Sequence, residues 1–345
     1  MIKKKNILVV TAGAPNKISH LADSFKGLFD ADIIFGKQFN EKRIDRLKEI
    51  IGKGNIYQNR IELSNELIKA NKLKRYDLIV AIKGLQISKK TLLEIKKINN
   101  EIKFVCWTCD DLALPHNQTK DFIESAPYYD LIYTSKSNNI KFNELKKLGF
   151  PKVNFFYQRY SNIFHKKPID PEQNFKYPEV FFAGYAEEKR FQYMNFLASN
   201  GIKVDVYGNG WDRLRYKWRK HKNLKIHFKP VIGDDYAKFI FGSGINLCFL
   251  RVLNRDIHTA RSVEIPACAG FMLAERTEEH LELFEEGFEA EFFASKEELL
   301  QKTIFYLKNE SVRRKIADQA FKRCRLNNYS YDDLAEEMYK NIFID

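Results

Sequence analysis

Long apolar runs are missing from this chain. The longest, such as Ile79–Ile82 or Phe181–Gly184, are strand-sized, far short of the roughly 18–20 residues that crossing a bilayer takes, so no membrane span is expected. Cysteine is scarce: Cys106, Cys109, Cys248, Cys268 and Cys324 are odd in number and form no His/Cys cluster at zinc spacing. A disulfide framework and a zinc ribbon are thereby excluded, and the thiols are expected to be reduced and buried. Cys106-x-x-Cys109 closes a strand-like run instead of opening a helix, which argues against a redox pair. Only 9 prolines, against 28 Phe and 17 Tyr with 44% hydrophobic residues, exclude a disordered chain. The apolar stretch Ile7–Val10 behind Lys3-Lys4-Lys5 is too short for a secretory signal. A cytoplasmic protein is expected, peripheral at the inner membrane face. The loop Thr11-Ala-Gly13-Ala-Pro15 lacks the G-x-G-x-x-G dinucleotide signature. No RNP, helix-turn-helix or zinc signature occurs, so no specific nucleic acid is expected.

What the chain does have is length, positive charge and a repeated alternation. At 345 residues it exceeds the roughly 100–200 of one domain, so two cores are expected. Residues 1–160 hold 29 Lys+Arg against 17 Asp+Glu, a balance of +12; residues 161–345 hold 29 against 28, leaving +1. The N-terminal excess favours anionic partners: acidic lipid head groups, polyanionic glycans or nucleic acid. Its bland counterpart is solvated helix faces, because Lys89-Lys90, Lys96-Lys97 and Lys146-Lys147 all fall on amphipathic periodicity.

Strand-like runs at Asn6–Thr11, Ile33–Phe35, Asp77–Ile82, Lys103–Trp107, Leu131–Thr134 and Val153–Phe156 alternate with helical periodicity at Ile18–Phe29, Ile61–Lys74, Ser88–Asn99 and Ser137–Leu148. The alternation restarts after residues 166–178 and predicts a second sheet, then helices at Lys296–Lys308, Ser311–Cys324 and Tyr331–Ile342. The fold class expected is α/β, with two doubly wound Rossmann-like domains facing a cleft and C-terminal helices. The domains are expected at 1–165 and 179–325, with a linker at 166–178 and a last segment, 326–345, packing back on the first domain.

The most specific stretch is Asp256-Ile-His-Thr-Ala-Arg-Ser-Val-Glu264-Ile-Pro-Ala-Cys-Ala-Gly270. Two acids with seven residues between them lead into a helix that ends at glycine. Phosphate can sit on the backbone N–H groups of such a turn, and Glu264, one turn in, can accept from ribose hydroxyls. Gly184 and Tyr185 end a strand, and Arg190 in the following helix can neutralise a diphosphate. Tyr207-Gly208-Asn209-Gly210-Trp211 ends another strand with a tight turn, where Trp211 reads better as core than as a base platform. Asp110, Asp111 and His116 end a first-half strand, and a carboxylate there can take a proton from an acceptor hydroxyl.

Residues 178–325, through Arg261-Ser-Val-Glu264-Ile-Pro-Ala-Cys-Ala-Gly270, Val180-Phe-Phe-Ala-Gly184, Val206-Tyr-Gly208-Asn-Gly210-Trp211 and Gly244-Ile-Asn246-Leu, resemble the C-terminal half of GT-B glycosyltransferases, within them the CgeB-type group. The first half resembles the group more loosely, through Trp107 with Asp110-Asp111 and through Tyr129–Ser135. The resemblance implies a UDP-, GDP- or TDP-sugar as co-substrate and no further cofactor. The C-terminal domain would hold the donor and the N-terminal domain a glycan or lipid-linked acceptor. Glu264 matches the ribose-binding second acid of the E-x7-E pattern. Asp256 stands at the first acid, one methylene short, a departure that touches its role beside the donor sugar. By the same resemblance Arg261 and Ser262, with the backbone of Ile257, His258 and Thr259, would lie at the ribose and diphosphate. Lys229 and Val231 would frame the base. No metal is implied. The rival readings are a nucleotide-sugar epimerase of similar architecture and a non-enzymatic polyanion-binding protein.

Overall fold

The computed structural model describes residues 5–12, 20–36, 55–168, 177–214 and 221–344. The loop expected at Gly13–Pro15 and most of the expected linker lie outside them. By its contacts the chain divides into two units, Met1–Tyr157 with Leu334–Asp345, and Gln158–Asp333.

The first unit is built on β1 (Ile7–Ala12), β2 (Asp32–Gly36), β3 (Leu78–Ile82), β4 (Lys103–Thr108), β5 (Leu131–Thr134) and β6 (Val153–Phe155). They form one parallel sheet in the order β2-β1-β3-β4-β5-β6. Between the strands run α1 (His20–Phe29), α2 (Asn55–Leu73), α3 (Lys89–Ile98), α4 (Lys120–Ser125), α5 (Ser137–Lys141) and α6 (Glu144–Lys147). β3 is buried at every position, as expected of a strand covered by helices on both faces. The single helix expected over Ser137–Leu148 is in fact two, because Asn143 adopts a left-handed conformation, φ 53°. Asn is among the few residues that tolerate that region.

The second unit holds β7 (Val180–Ala183), β8 (Val204–Tyr207), β9 (Leu224–His227), β10 (Ile245–Cys248), β11 (Met272–Glu275) and β12 (Glu291–Phe293), parallel in the order β12-β11-β10-β7-β8-β9. Its helices are α7 (Glu188–Ser199), α8 (Gly233–Gly242), α9 (Arg261–Ala267), α10 (Glu278–Leu283), α11 (Lys296–Lys308), α12 (Glu310–Leu326) and the start of α13 (Tyr331–Phe343). Ser295 caps α11 by accepting from the Glu298 N–H, while Glu298 reaches back to the Ala294 N–H at 2.7 Å, a reciprocal pairing that fixes the helix start. From Leu334 onward the chain belongs to the first unit. There Tyr339 stacks on Phe29 at 4.7 Å, and Asn341 donates to the Tyr133 hydroxyl at 2.8 Å.

Both sheets change winding direction once, between β1 and β3 in the first and between β7 and β10 in the second. The loops leaving the carboxyl ends of two such strands diverge to opposite faces and open a crevice. Most of the candidate residues of the second unit lie on the loops and helices that follow β7 and β10.

Candidate functional site

Arg190, in the first turn of α7, is only 2% exposed. Its guanidinium donates to the Tyr185 carbonyl at 2.8 Å and to the Phe249 carbonyl at 3.5 Å. Arg261, the first residue of α9, donates to the same Phe249 carbonyl at 3.0 Å. Both guanidiniums lie over the Phe182 ring, 5.6 and 5.5 Å from its centroid. Two cations thus converge on the switch point from the helices after β7 and β10. Burial, and next the Arg261 charge, push the Arg190 pKa down to about 10. The group remains a cation at neutral pH, in a place where an anion would relieve like-charge crowding. Glu187 offsets part of this charge, 3.7 Å from Arg190 and 3.3 Å from Arg251. Glu275, at the end of β11, holds the loop after β10 through the Leu250 N–H at 2.8 Å and also pairs with Lys189.

The loops after β7 and β8 pack backbone on backbone. Gly208 has φ +150°, and a Cβ there would stand 2.0 Å from the Gly184 carbonyl oxygen, so only glycine fits. The same carbonyl accepts from the Trp211 indole at 3.0 Å, and Trp211 is buried core. A Cβ on Gly210, φ +82°, would meet the Tyr185 ring at 2.7 Å. Tyr185 therefore lies across that glycine, with its ring partly exposed. Tyr207 stacks flat on His227 at 4.0 Å, and His227 pairs with Asp205 at 2.9 Å.

Glu264, in the first turn of α9, accepts from the Tyr236 hydroxyl at 3.1 Å and faces His165 at 3.8 Å. The Asp256 carboxylate turns into its own loop, taking the Arg251 N–H at 3.3 Å and the Asn254 amide at 2.9 Å. His258 and Ser262 are buried. His258 Nδ1 pairs with Glu279, and its Nε2 accepts from the Gln158 N–H at 2.9 Å. Ser262 accepts from the Thr259 N–H at 3.0 Å and meets His280 at 2.7 Å. The side chains of His258 and Ser262, and the N–H of Thr259, thus build the turn itself. Lys229 is exposed and Val231 half-buried on the loop after β9. Among the described residues, neither side chain is joined to the other candidates by a hydrogen bond or ion pair.

In the first unit the two neighbouring acids separate. Asp111 has no exposed surface, accepting from the Asn139 amide at 3.0 Å and the Ala113 N–H at 3.2 Å. Asp110 is partly exposed and paired with Lys83 at 2.5 Å. Burial pushes the Cys106 thiol up, away from redox reactivity. Among the described residues no group of His, Cys, Asp and Glu could hold a metal ion, and no helix is long and apolar enough to cross a membrane. Sequence reasoning missed Glu187, Lys189, Arg251, Tyr236 and His165. None belongs to a motif with a fixed spacing, and only the fold gathers them.

His280 gives the second unit a pH dependence. Its Nδ1 donates to the Glu275 carbonyl at 2.6 Å, and its Nε2 accepts from Ser262. Burial lowers its pKa to about 4, whereas an unfolded histidine titrates near 6.5. Its contribution is therefore complete above about pH 6.5 and is lost as pH falls toward 4, by up to about 3 kcal/mol. The urea midpoint of the second unit should fall between pH 7 and 4.5, and a flat midpoint would contradict this assignment.

Residues 191–340 match the model of a family described as glycosyl transferase-like. Several solved structures share the fold across the chain. HepE of Anabaena, solved with UDP and glucose, is 13% identical at a TM-score of 0.66, covering 98% of this chain and 99% of its own. Sucrose-phosphate synthase of Thermosynechococcus elongatus is 8% identical at 0.67, covering 98% and 99%. A putative UDP-N-acetylglucosamine 2-epimerase of Listeria monocytogenes is 12% identical at 0.55, covering 99% and 97%. No curated protein matches. The fold is that of GT-B glycosyltransferases, and the glycosyl transferase-like match falls on the C-terminal half. The CgeB-like family pattern lies in that same half.

Proposed function

We propose that the chain transfers a sugar from UDP to a hydroxyl of a glycan or lipid-linked acceptor. The observation that carries this reading is the Arg190–Arg261 pair converging on the Phe249 carbonyl at the β7/β10 switch point. When the anomeric carbon leaves the phosphate oxygen for the acceptor oxygen, negative charge grows on the departing diphosphate. Fixed cations stabilise that charge more in the transition state than in the ground state. Glu264 accepts from the ribose hydroxyls, and Tyr185, Gly184, Tyr207, Gly208 and Gly210 shape the floor of the site. Asp256 acts through the loop it folds. The assignment of UDP draws support from HepE, which was solved with UDP-glucose. Retention of configuration is favoured by the seven-residue spacing of Asp256 and Glu264. Asp110 serves the acceptor from the first unit, and the burial of Asp111 leaves it the role of supporting the turn.

Thermal stabilisation by UDP, GDP, TDP, CMP and ADP and their sugars tests the donor. A ligand at 100 times its Kd adds about 2.7 kcal/mol. UDP and a UDP-sugar should stabilise the protein, and Glu264→Ala should lose the shift. No shift with any nucleotide would sink the reading, and conversion of a UDP-sugar without acceptor would favour an epimerase.

The same proposal places the acceptor at an anionic membrane surface. In the first unit, Ile140, Lys141 and Phe142 are exposed beside the left-handed Asn143, with Lys146 and Lys147 on the next turn. The neighbouring acid, Glu144, is turned inward to the Asn139 amide at 3.0 Å. Each lysine near an acidic surface adds about 1 kcal/mol. Binding to phosphatidylglycerol vesicles should weaken with salt and with Lys→Gln changes at 141, 146 and 147, and equal binding to neutral vesicles would overturn it.

A further inference from the structure

Glu264 is set between two donors that belong to no recognised motif. Its Oε2 accepts from the Tyr236 hydroxyl at 3.1 Å, and its Oε1 faces His165 Nε2 at 3.8 Å. The direction of the histidine is fixed: the Ser161 N–H donates to His165 Nδ1 at 2.9 Å, so the ring proton sits on Nε2, toward the carboxylate. Tyr236 and His165 also touch each other edge to face, with centroids 5.9 Å apart at 77°. Both are buried, whereas Glu264 keeps 16% of its side chain exposed. One side of the carboxylate is therefore walled by protein donors, and the other is open.

A carboxylate offers about four lone-pair positions, two on each oxygen. Tyr236 takes one of them, and His165, at 3.8 Å from the other oxygen, stands against it without a hydrogen bond, so each oxygen keeps a position for a ligand on the open side. Two acceptors at carboxylate spacing match the two O–H donors of a vicinal diol. A carboxylate without these neighbours would rotate and satisfy itself with water, at an entropic cost on binding.

We infer that Tyr236 and His165 are positioning residues that aim Glu264 at both hydroxyls of a ribose, and so set the discrimination between ribo- and deoxyribonucleotides. The inference rests on the reading of Glu264 as the ribose acceptor. Burial favours the neutral form of both groups, raising the Tyr236 pKa and lowering that of His165, so the tyrosine keeps its donor proton and the histidine stays neutral through the physiological range.

The test is calorimetric titration of UDP and 2′-deoxy-UDP into the wild type, Glu264→Ala, Tyr236→Phe, His165→Gln and the Tyr236→Phe/Glu264→Ala double variant. Melting without ligand provides the check on folding. The wild type should prefer UDP by roughly ten- to a hundredfold, as expected for a hydrogen bond to a charged acceptor. Glu264→Ala should bring the ratio close to one. Tyr236→Phe and His165→Gln should each lower it by about threefold or more while affinity for 2′-deoxy-UDP holds, and the double variant should be no worse than Glu264→Ala. A ratio lost in Glu264→Ala but unchanged in Tyr236→Phe and His165→Gln overturns the positioning role and leaves the ribose reading standing. A ratio unchanged in Glu264→Ala overturns the ribose reading itself.

Discussion

Replacing Arg190 with methionine should lower sugar transfer by about a hundred- to a thousandfold, the loss typical of removing one fixed donor from a site of developing negative charge. The loss should fall mainly on kcat, because the charge the guanidinium meets is larger in the transition state than in the bound donor. Arg261→Met should behave similarly. The cost in stability should be much smaller than the cost in activity. Arg190 is held in a buried position where the Arg261 charge works against it, so removing one cation relieves repulsion even as it frees the Tyr185 carbonyl, while the Phe249 carbonyl keeps Arg261. A variant that melts near the wild type yet turns over a thousandfold more slowly is the expected signature. The same geometry sets an alkaline limit: as pH passes about 10 the Arg190 charge is lost and kcat/KM should fall. Transfer kinetics, with melting curves of the same preparations, check both points. An equal loss of stability and activity would show that the pair only builds the fold.

Much of the architecture was legible because it rests on periodicity. The β-rich runs at Ile33–Phe35 and Leu131–Thr134 fall in strands, and the helix expected at Lys296–Lys308 is α11. Local sterics decided the principal departure, the break at Asn143, which a periodicity argument averages over. Glu264, Arg190 and Arg261 could be named from their places after strands, but their relations could not. That two arginines 71 positions apart share one carbonyl depends on the strand order β10-β7-β8, which no local pattern contains. Side-chain direction was the least legible of all. Asp110 and Asp111 are neighbours of identical chemistry, yet one pairs with Lys83 near solvent and the other is buried under Asn139. His258 and Ser262 lie within the motif that drew attention to them, but their side chains point into the core.

His258 accordingly has an expected phenotype unlike that of Arg190. His258→Ala should cost about 3–5 kcal/mol of stability in the second unit, the usual penalty for stripping the partner from a buried charged group. The His258 Nε2 accepts from the Gln158 N–H, so its proton is on Nδ1, where it serves the Glu279 carboxylate. Glu279 is buried, and without the imidazole its charge loses that partner while the Gln158 N–H loses its acceptor. Thr277 holds the adjacent Ile257 carbonyl at 2.7 Å, so the turn from Asp256 to Thr259 hangs from the start of α10 by a few such bonds. Glu279→Gln separates charge from hydrogen bonding: the amide oxygen can still accept from Nδ1 without carrying a buried charge, so that variant should lose about 1 kcal/mol. Denaturant unfolding of the two variants decides between these roles. A large gap between them assigns the pair to the folding of the turn. Equal and small losses with abolished nucleotide binding would instead place the imidazole in contact with the donor.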